Sequence, residues 1–194
     1  YPMKPAELAL DLAVRAGDML RKSLPGRRTI RTKGNSSDVV TEMDLKSEKF
    51  ILGAIRREFP HHEVVAEESG RAGRSPCRWF VDPLDGTVNY AHGLPIFCVS
   101  IGFEIDGVME CGVVYAPSLG ELFTARRGRG AFRNGRPIRC STQRDLRKSL
   151  LCTGFPYAHA GKKRNLSWWS AFLPRAQALR RLGSAALDLC FTAC

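Results

Sequence analysis

The sequence predicts a mixed α and β fold, and three observations carry that expectation. The first 60 residues hold two stretches with apolar residues at helical spacing. From residue 63 onward the texture changes to short β-like runs separated by turn dipeptides. A last apolar segment after Gly183 returns to the helical period.

In residues 6–23, Leu8, Leu12, Ala16, Met19 and Leu20 recur every three or four positions, one face of a helix that Pro25-Gly26 stops. The polar stretch Lys33-Gly34-Asn35-Ser36-Ser37-Asp38 leads into Val39-Val40-Thr41 and a second helix through about Arg57. Leu45, Ile51, Leu52, Ile55 and Phe59 are its expected buried face, and Pro60 ends it. Glu63–Ala66 and Arg78–Val81 are short β-like runs, each leading directly into a carboxylate. Phe97–Glu104 and Val108–Tyr115 read as a hairpin closed at Asp106-Gly107, a dipeptide that tolerates the positive φ of tight turns. Gly120–Thr124, Gly130–Phe132 and the Asn134-Gly135 turn extend an antiparallel meander. A strand over Ser149–Thr153 and a helix beginning near Gly183 complete the chain, which shows no internal repeat and no low-complexity linker.

At 194 residues the chain has room for one ordinary domain or two small ones. Its 44% hydrophobic and 25% charged residues are the mixture of a globular protein rather than a disordered one. Apolar runs fall far short of the roughly 20 residues that cross a bilayer, so no membrane association is expected. No leader pattern opens the chain, although it begins at Tyr1. Lys and Arg total 30 against 19 acidic residues, a net charge of +11, which favours anionic partners: phosphorylated metabolites, nucleic acid or acidic surfaces. Clusters at Arg126-Arg127-Gly128-Arg129 and Lys162-Lys163-Arg164 lack the aromatic pattern of an RNA-recognition motif, so nucleic acid is the minor partner class. The 7 cysteines are irregularly spaced without a Cys-x-x-Cys pair, which points to free thiols in the cytoplasm rather than to zinc or disulfides.

Asp82-Pro83-Leu84-Asp85-Gly86-Thr87 carries the chemistry. A buried run delivers Asp82 at its end, Pro83 predicts a turn, and Asp85 follows close enough to share a site. Neighbouring carboxylates repel unless a cation neutralises them, and hard oxygen donors beside a phosphate suggest Mg2+. Gly86 permits tight backbone geometry before a helix start at Thr87, whose first amides would face an anion. Glu67-Glu68 follows another strand, while Asp38 and Asp44 flank Val39-Val40-Thr41. Taken singly, each is a weak signal: Glu67-Glu68 reads as a solvated acidic loop, and Asp38 or Asp44 as a cap of the second helix.

Together these motifs resemble the inositol monophosphatase-like family of Mg2+-dependent, lithium-sensitive phosphatases. The resemblance rests on Trp79–Tyr90 followed by His92-Gly93-Leu94-Pro95, on Ala66-Glu67-Glu68-Ser69, and on Asp38–Asp44. Gly112–Pro117 and Arg181–Ala186 extend it over essentially the whole chain. It implies an α-β-α-β-α layered fold, with an N-terminal α+β domain at 1–145 and the beginning of a second α/β domain at 146–194. It implies Mg2+ held by Glu67, Asp82, Asp85 and the Leu84 carbonyl, and a water oriented by Asp44 and Thr87. The Gly86 and Thr87 amides would hold phosphate, and Gly183, Ser184 and Ala185 would lie against the substrate. Lys33 and Asp38 match a mobile metal-binding loop, and a homodimer is the family's common assembly.

The resemblance also implies a further metal-binding Asp in a downstream Trp-Asp motif, which this sequence lacks. The expectation is therefore a C-terminally incomplete enzyme, inactive or poorly stable by itself, with exposed apolar surface. The expected reaction is hydrolysis of inositol 1-phosphate to inositol and phosphate. Histidinol phosphate or another sugar phosphate is the alternative substrate. The alternative of another class is a non-catalytic protein binding RNA or the transcription machinery.

Overall fold

The computed structural model describes residues 3–26, 29–32, 39–156 and 159–194. In chain order the elements are α1 (Pro5–Ser23), β1 (Ile30–Thr32), β2 (Val39–Thr41), α2 (Glu42–Glu58), β3 (Glu63–Ala66), β4 (Gly70–Ala72) and β5 (Cys77–Asp85). There follow α3 (Thr87–Ala91), β6 (Cys98–Ile105), β7 (Val108–Ala116), β8 (Glu121–Arg126), β9 (Gly130–Arg133) and β10 (Arg136–Pro137). A 3-10 turn (Leu146–Lys148), β11 (Leu150–Cys152), α4 (His159–Phe172), β12 (Ala178–Arg180) and α5 (Ala185–Thr192) complete the order.

Eight strands form one mixed sheet in the order β10-β9-β8-β7-β6-β5-β3-β4. Its long antiparallel run is closed by the turns expected from the sequence. Asp106 and Gly107 have φ of 50° and 78°, and Asn134 and Gly135 have 49° and 76°, the double positive φ that suits a right-twisted hairpin. The one parallel pairing in that sheet is β3 with β5. β11 and β12 form a separate parallel pair with α4 between them in the chain.

α1 and α2 cover one face of the large sheet. Leu8, Leu12, Ala16 and Leu20 of α1 and Ile51 and Ile55 of α2 pack with Trp79, Val81, Ile101, Phe103 and Val113. Burying a large apolar side chain contributes about 1.5–3 kcal/mol, so this layer is the main source of stability. Leu45 departs from the expected α2 face and is 48% exposed. The helix is rotated so that Asp44, Ser47 and Glu48 turn inward beside Ile51 and Ile55. Asp44 and Ser47 face the end of β5, and Glu48 faces the backbone that follows β3, where each has a partner.

α5 covers part of the opposite face, with Leu187 in a smaller core of Cys98, Ala116 and Phe123. Phe191 meets Phe123 edge-on at 5.7 Å between ring centroids. Beside α5 that face bounds an open apolar cavity of about 600 Å³ lined by Phe80, Val114, Phe132 and Ile138. A second departure concerns Pro83, where a turn is expected. β5 instead continues to Asp85, and its register with β6 shifts between Asp82 and Asp85. Proline has no N–H for the ladder, so the strand bulges there rather than reversing. Among the described residues, no helix is long and apolar enough to cross a membrane.

Candidate active site

The parallel pairing of β3 and β5 brings the first two carboxylates together. Its register matches Ala66 with Val81, so Glu67, just past the end of β3, lies beside Asp82 within β5. The Glu67 amide donates to the Val81 carbonyl at 3.1 Å, which fixes that junction. Burial pushes the Asp82 carboxyl up to about 9; the charges of Glu67 and Asp85 and a side-chain hydrogen bond with Glu67 add to the rise, and the Leu84 N–H opposes it. That N–H reaches Asp82 Oδ1 at 3.1 Å.

Asp44 stands below this pair, in the first turn of α2. Its Oδ2 accepts from the Thr41 amide at 2.8 Å and the Thr41 hydroxyl at 2.6 Å, closing a capping box. Its Oδ1 accepts from Thr87 Oγ1 at 2.9 Å, across 43 residues of sequence. Asp44 is thus both a member of the α2 capping box, whose N-cap is Thr41, and the partner of Thr87, two readings that compete when the sequence is taken alone. Burial raises its carboxyl above the usual range, against the pull of the Thr41 and Thr87 donors. Thr87 Oγ1 also lies 3.0 Å from the Leu84 carbonyl. One hydroxyl hydrogen serves only one of these acceptors at a time, and the oxygen keeps lone pairs to accept a bond itself.

Gly86 makes the junction between β5 and α3 possible. Its φ is +94°, and a Cβ there would come within 2.9 Å of the Ile96 carbonyl oxygen and 3.2 Å of Phe97 Cα. An L side chain is excluded by both strain and contact.

Asp85 faces α5. Its Oδ2 accepts from Ser184 Oγ at 2.6 Å and from the Ala186 amide at 2.7 Å, and its Oδ1 from the Ala185 amide at 3.3 Å. The Cys98 thiol lies 3.8 Å from Oδ2, and burial followed by the Asp85 charge pushes that thiol well above its ordinary range. A carboxylate at the first turn of a helix is favourable, since the free amides there carry partial positive charge. A cleft of about 640 Å³ runs over this region, lined by Glu67, Asp85, Thr153, Phe155, Arg181 and Ser184.

The structure therefore unites Glu67, Asp82 and Asp85 electrostatically, pairs Asp44 with Thr87, and brings Gly183, Ser184 and Ala185 to the Asp85 end. Lys33 and Asp38 lie outside the described residues. The chain matches the inositol monophosphatase family model over residues 4–194. The chain belongs to the inositol monophosphatase family. It is 43% identical over 191 residues to an inositol-1-monophosphatase of Synechocystis sp., covering 97% of this chain and 67% of that protein. It is 40% identical to the Nus factor SuhB of Pasteurella multocida, covering 96% of this chain and 71% of that one. Among solved structures, the extragenic suppressor protein suhB of Bartonella henselae superposes with a TM-score of 0.89 at 36% identity, covering 95% of this chain and 72% of that one. The likeness extends to the layered α/β architecture.

In this inositol monophosphatase-family chain the donor set fits a hard divalent cation at Glu67 and Asp82. Half-buried Asp82, whose carboxyl is pushed up by burial and by the charges of Glu67 and Asp85, and exposed Glu67 beside it present oxygens to a point where positive charge is needed. Among the described residues, no three His, Cys, Asp or Glu side chains close on one point. Asp85, the third expected ligand, accepts from the α5 donors, and its carboxylate oxygens keep lone pairs that can also face a cation beside the Leu84 carbonyl and water. Two supporting residues escape the sequence reading. Ser47 Oγ donates to the Pro83 carbonyl at 2.8 Å and holds the bulge. Glu48 Oε2 accepts from the Glu68 amide at 2.9 Å and anchors the residue after Glu67. Their signal is the spacing 44, 47, 48, 51, 55, a helical face that is polar at one end.

Proposed function

We propose that this chain is a phosphoric monoester hydrolase that takes inositol 1-phosphate to inositol and phosphate, with Mg2+ as cofactor. The observation that carries the reading is Glu67, just past the end of β3, set beside Asp82 of the parallel strand β5, near a Thr87 hydroxyl bonded to buried Asp44 at 2.9 Å. Glu67, Asp82 and the Leu84 carbonyl would hold the cation, with Asp85 as the ligand nearest α5. Bound Mg2+ neutralises the phosphate dianion, makes water a stronger acid and stabilises the leaving alkoxide.

The chain's own groups do the rest. Thr87 donates to Asp44, which leaves an oxygen lone pair to accept a hydrogen bond from the attacking water and orient it. Asp44, buried and raised in pKa, is the group to which that proton can pass through the hydroxyl. The phosphate rests against the Gly86 and Thr87 amides on this reading, and the polyol against Gly183, Ser184 and Ala185. Thr153 and Phe155 line the same cleft.

A substrate panel tests the assignment: phosphate release from inositol 1-phosphate, histidinol phosphate and p-nitrophenyl phosphate, with Mg2+ and with EDTA. The highest kcat/KM is expected for inositol 1-phosphate in Mg2+. A preference for histidinol phosphate would replace the substrate while keeping the chemistry. A second reading draws on the likeness to a protein named Nus factor SuhB and on the net charge of +11. RNA binding that weakens steeply with salt and persists in Asp82→Asn, without phosphate release, would favour that reading.

A further inference from the structure

We propose that Asn89 is a positioning residue whose amide ties the turn bearing Ser184 to the junction bearing Gly86, and so sets where the Asp85 carboxylate stands. Asn89 lies in α3, two residues beyond Thr87, and is only 6% exposed. Its Nδ2 donates to the Ile96 carbonyl at 2.8 Å and to the Leu182 carbonyl at 2.7 Å. Both acceptors are carbonyl oxygens, so the NH2 must face them, and both its hydrogens are used. One bond is local; the other spans 93 residues and reaches the turn before α5.

That turn has no slack. Gly183 has φ of +89°, and a Cβ on it would meet Asn89 Nδ2 at 2.7 Å and Oδ1 at 2.9 Å. On the other side, a Cβ on Gly86 would lie 3.4 Å from the Gly183 carbonyl oxygen. Two glycine backbones and one buried amide are therefore packed against one another. The next three residues after Gly183 supply the N–H and O–H donors to Asp85: Ser184 Oγ, the Ala185 amide and the Ala186 amide. Those donors thus come from a turn held on its inner side by Asn89. Asn89 touches neither the Glu67–Asp82 pair nor Asp85 in any hydrogen bond described, so it acts through the turn. Releasing it frees Asp85 while the capping of Asp44 and the parallel strand ends stay in place.

The inference rests on the phosphatase reading only where cation and substrate are concerned, and its first test is independent of both. Hydrogen exchange in the unmodified chain should protect the amides of residues 185–187 far more than an exposed loop such as 141–144. Asn89→Ala should raise exchange at 185–187 while leaving β6, β7 and α1 protected. Gly183→Ala, which pushes the turn away from an intact Asn89, should give the same local pattern. For positioning as opposed to mere stability, Mg2+ binding by calorimetry should weaken about tenfold or more in both variants, the range in which groups supporting metal ligands act. In both variants turnover of inositol 1-phosphate should also fall more than that of p-nitrophenyl phosphate. Fast exchange at 185–187 in the unmodified chain would overturn the inference. So would a uniform loss of protection in folded variants with unchanged Mg2+ affinity. If the unmodified chain binds no Mg2+, the phosphatase reading fails, and the exchange pattern alone decides the role of Asn89.

Discussion

Thr87→Val isolates the hydroxyl that links β5, α2 and the candidate chemistry. Threonine and valine have nearly the same shape, so the substitution leaves no cavity. Thr87 is 9% exposed and Asp44 is fully buried, and the change leaves Asp44 Oδ1 without its 2.9 Å donor. A hydrogen bond to a charged group is worth about 1.5–3 kcal/mol, and the Leu84 carbonyl adds no second loss because it draws on the same hydrogen. For a chain of this size that corresponds to a fall in Tm of about 3–12 °C. Thr87→Ser keeps the hydroxyl and loses one methyl, at a cost of about 0.8 kcal/mol. Urea unfolding measures the stability arm, with Asp44→Asn and the double variant closing a cycle. Thr87→Val should cost much less when combined with Asp44→Asn than in the otherwise unmodified chain, since the two groups act as a unit. Phosphate release should fall about 10²–10⁴-fold in Thr87→Val and largely persist in Thr87→Ser. Additive stability losses, or a Thr87→Val variant with threefold or smaller loss of turnover, would refute the pairing as the heart of the site.

Further outcomes follow from the same geometry. Asp82 has a folded pKa of about 9, far above an unfolded aspartate, so the folded chain binds a proton that the unfolded chain does not. In EDTA, stability should therefore decline from near pH 4 up to about 9, and Asp82→Asn should flatten that slope in thermal melts. His62 has the opposite character. Burial, then His61, lowers its pKa, and its Nδ1 accepts from Trp79 Nε1 at 3.1 Å. Its neutral form is the one that fits the fold, so its contribution is complete above about pH 6.5 and declines as pH falls from there through its lowered folded pKa. Trp79 fluorescence should change over that interval and cease to do so in His62→Phe. Gly86→Ala should cost about 1–3 kcal/mol in urea unfolding through its positive φ, with turnover falling alongside as α3 shifts.

What is legible in the sequence is local. Asp106-Gly107 and Asn134-Gly135 define their hairpins through their own φ preferences, and the Asp82–Thr87 spacing needs only one strand and one glycine to be read. Glu67 stands out because it too ends a strand, although only the parallel register shows that it meets Asp82. Leu45 departs from its expected face because hydrophobicity alone cannot reveal that Asp44, Ser47 and Glu48 have buried partners on other elements. The turn expected at Pro83 is a bulge because β6 holds the strand on both sides of it. α4 and β12 carry weak local patterns that predict neither element. The engagement of Asp85 by α5, and the bond from Asn89 to Leu182, join residues about a hundred apart. No periodicity reports contacts of that range.

The most direct measurement is phosphate release from inositol 1-phosphate by this chain and by Asp82→Asn, each in Mg2+ and in EDTA, with Mg2+ binding followed by calorimetry on the same samples. The expected result is Mg2+ binding by the unmodified chain that is lost in Asp82→Asn, with any release confined to the unmodified chain in Mg2+. Release that persists in EDTA, or that Asp82→Asn retains in full, would contradict the assignment of Glu67 and Asp82 as the centre of the chemistry.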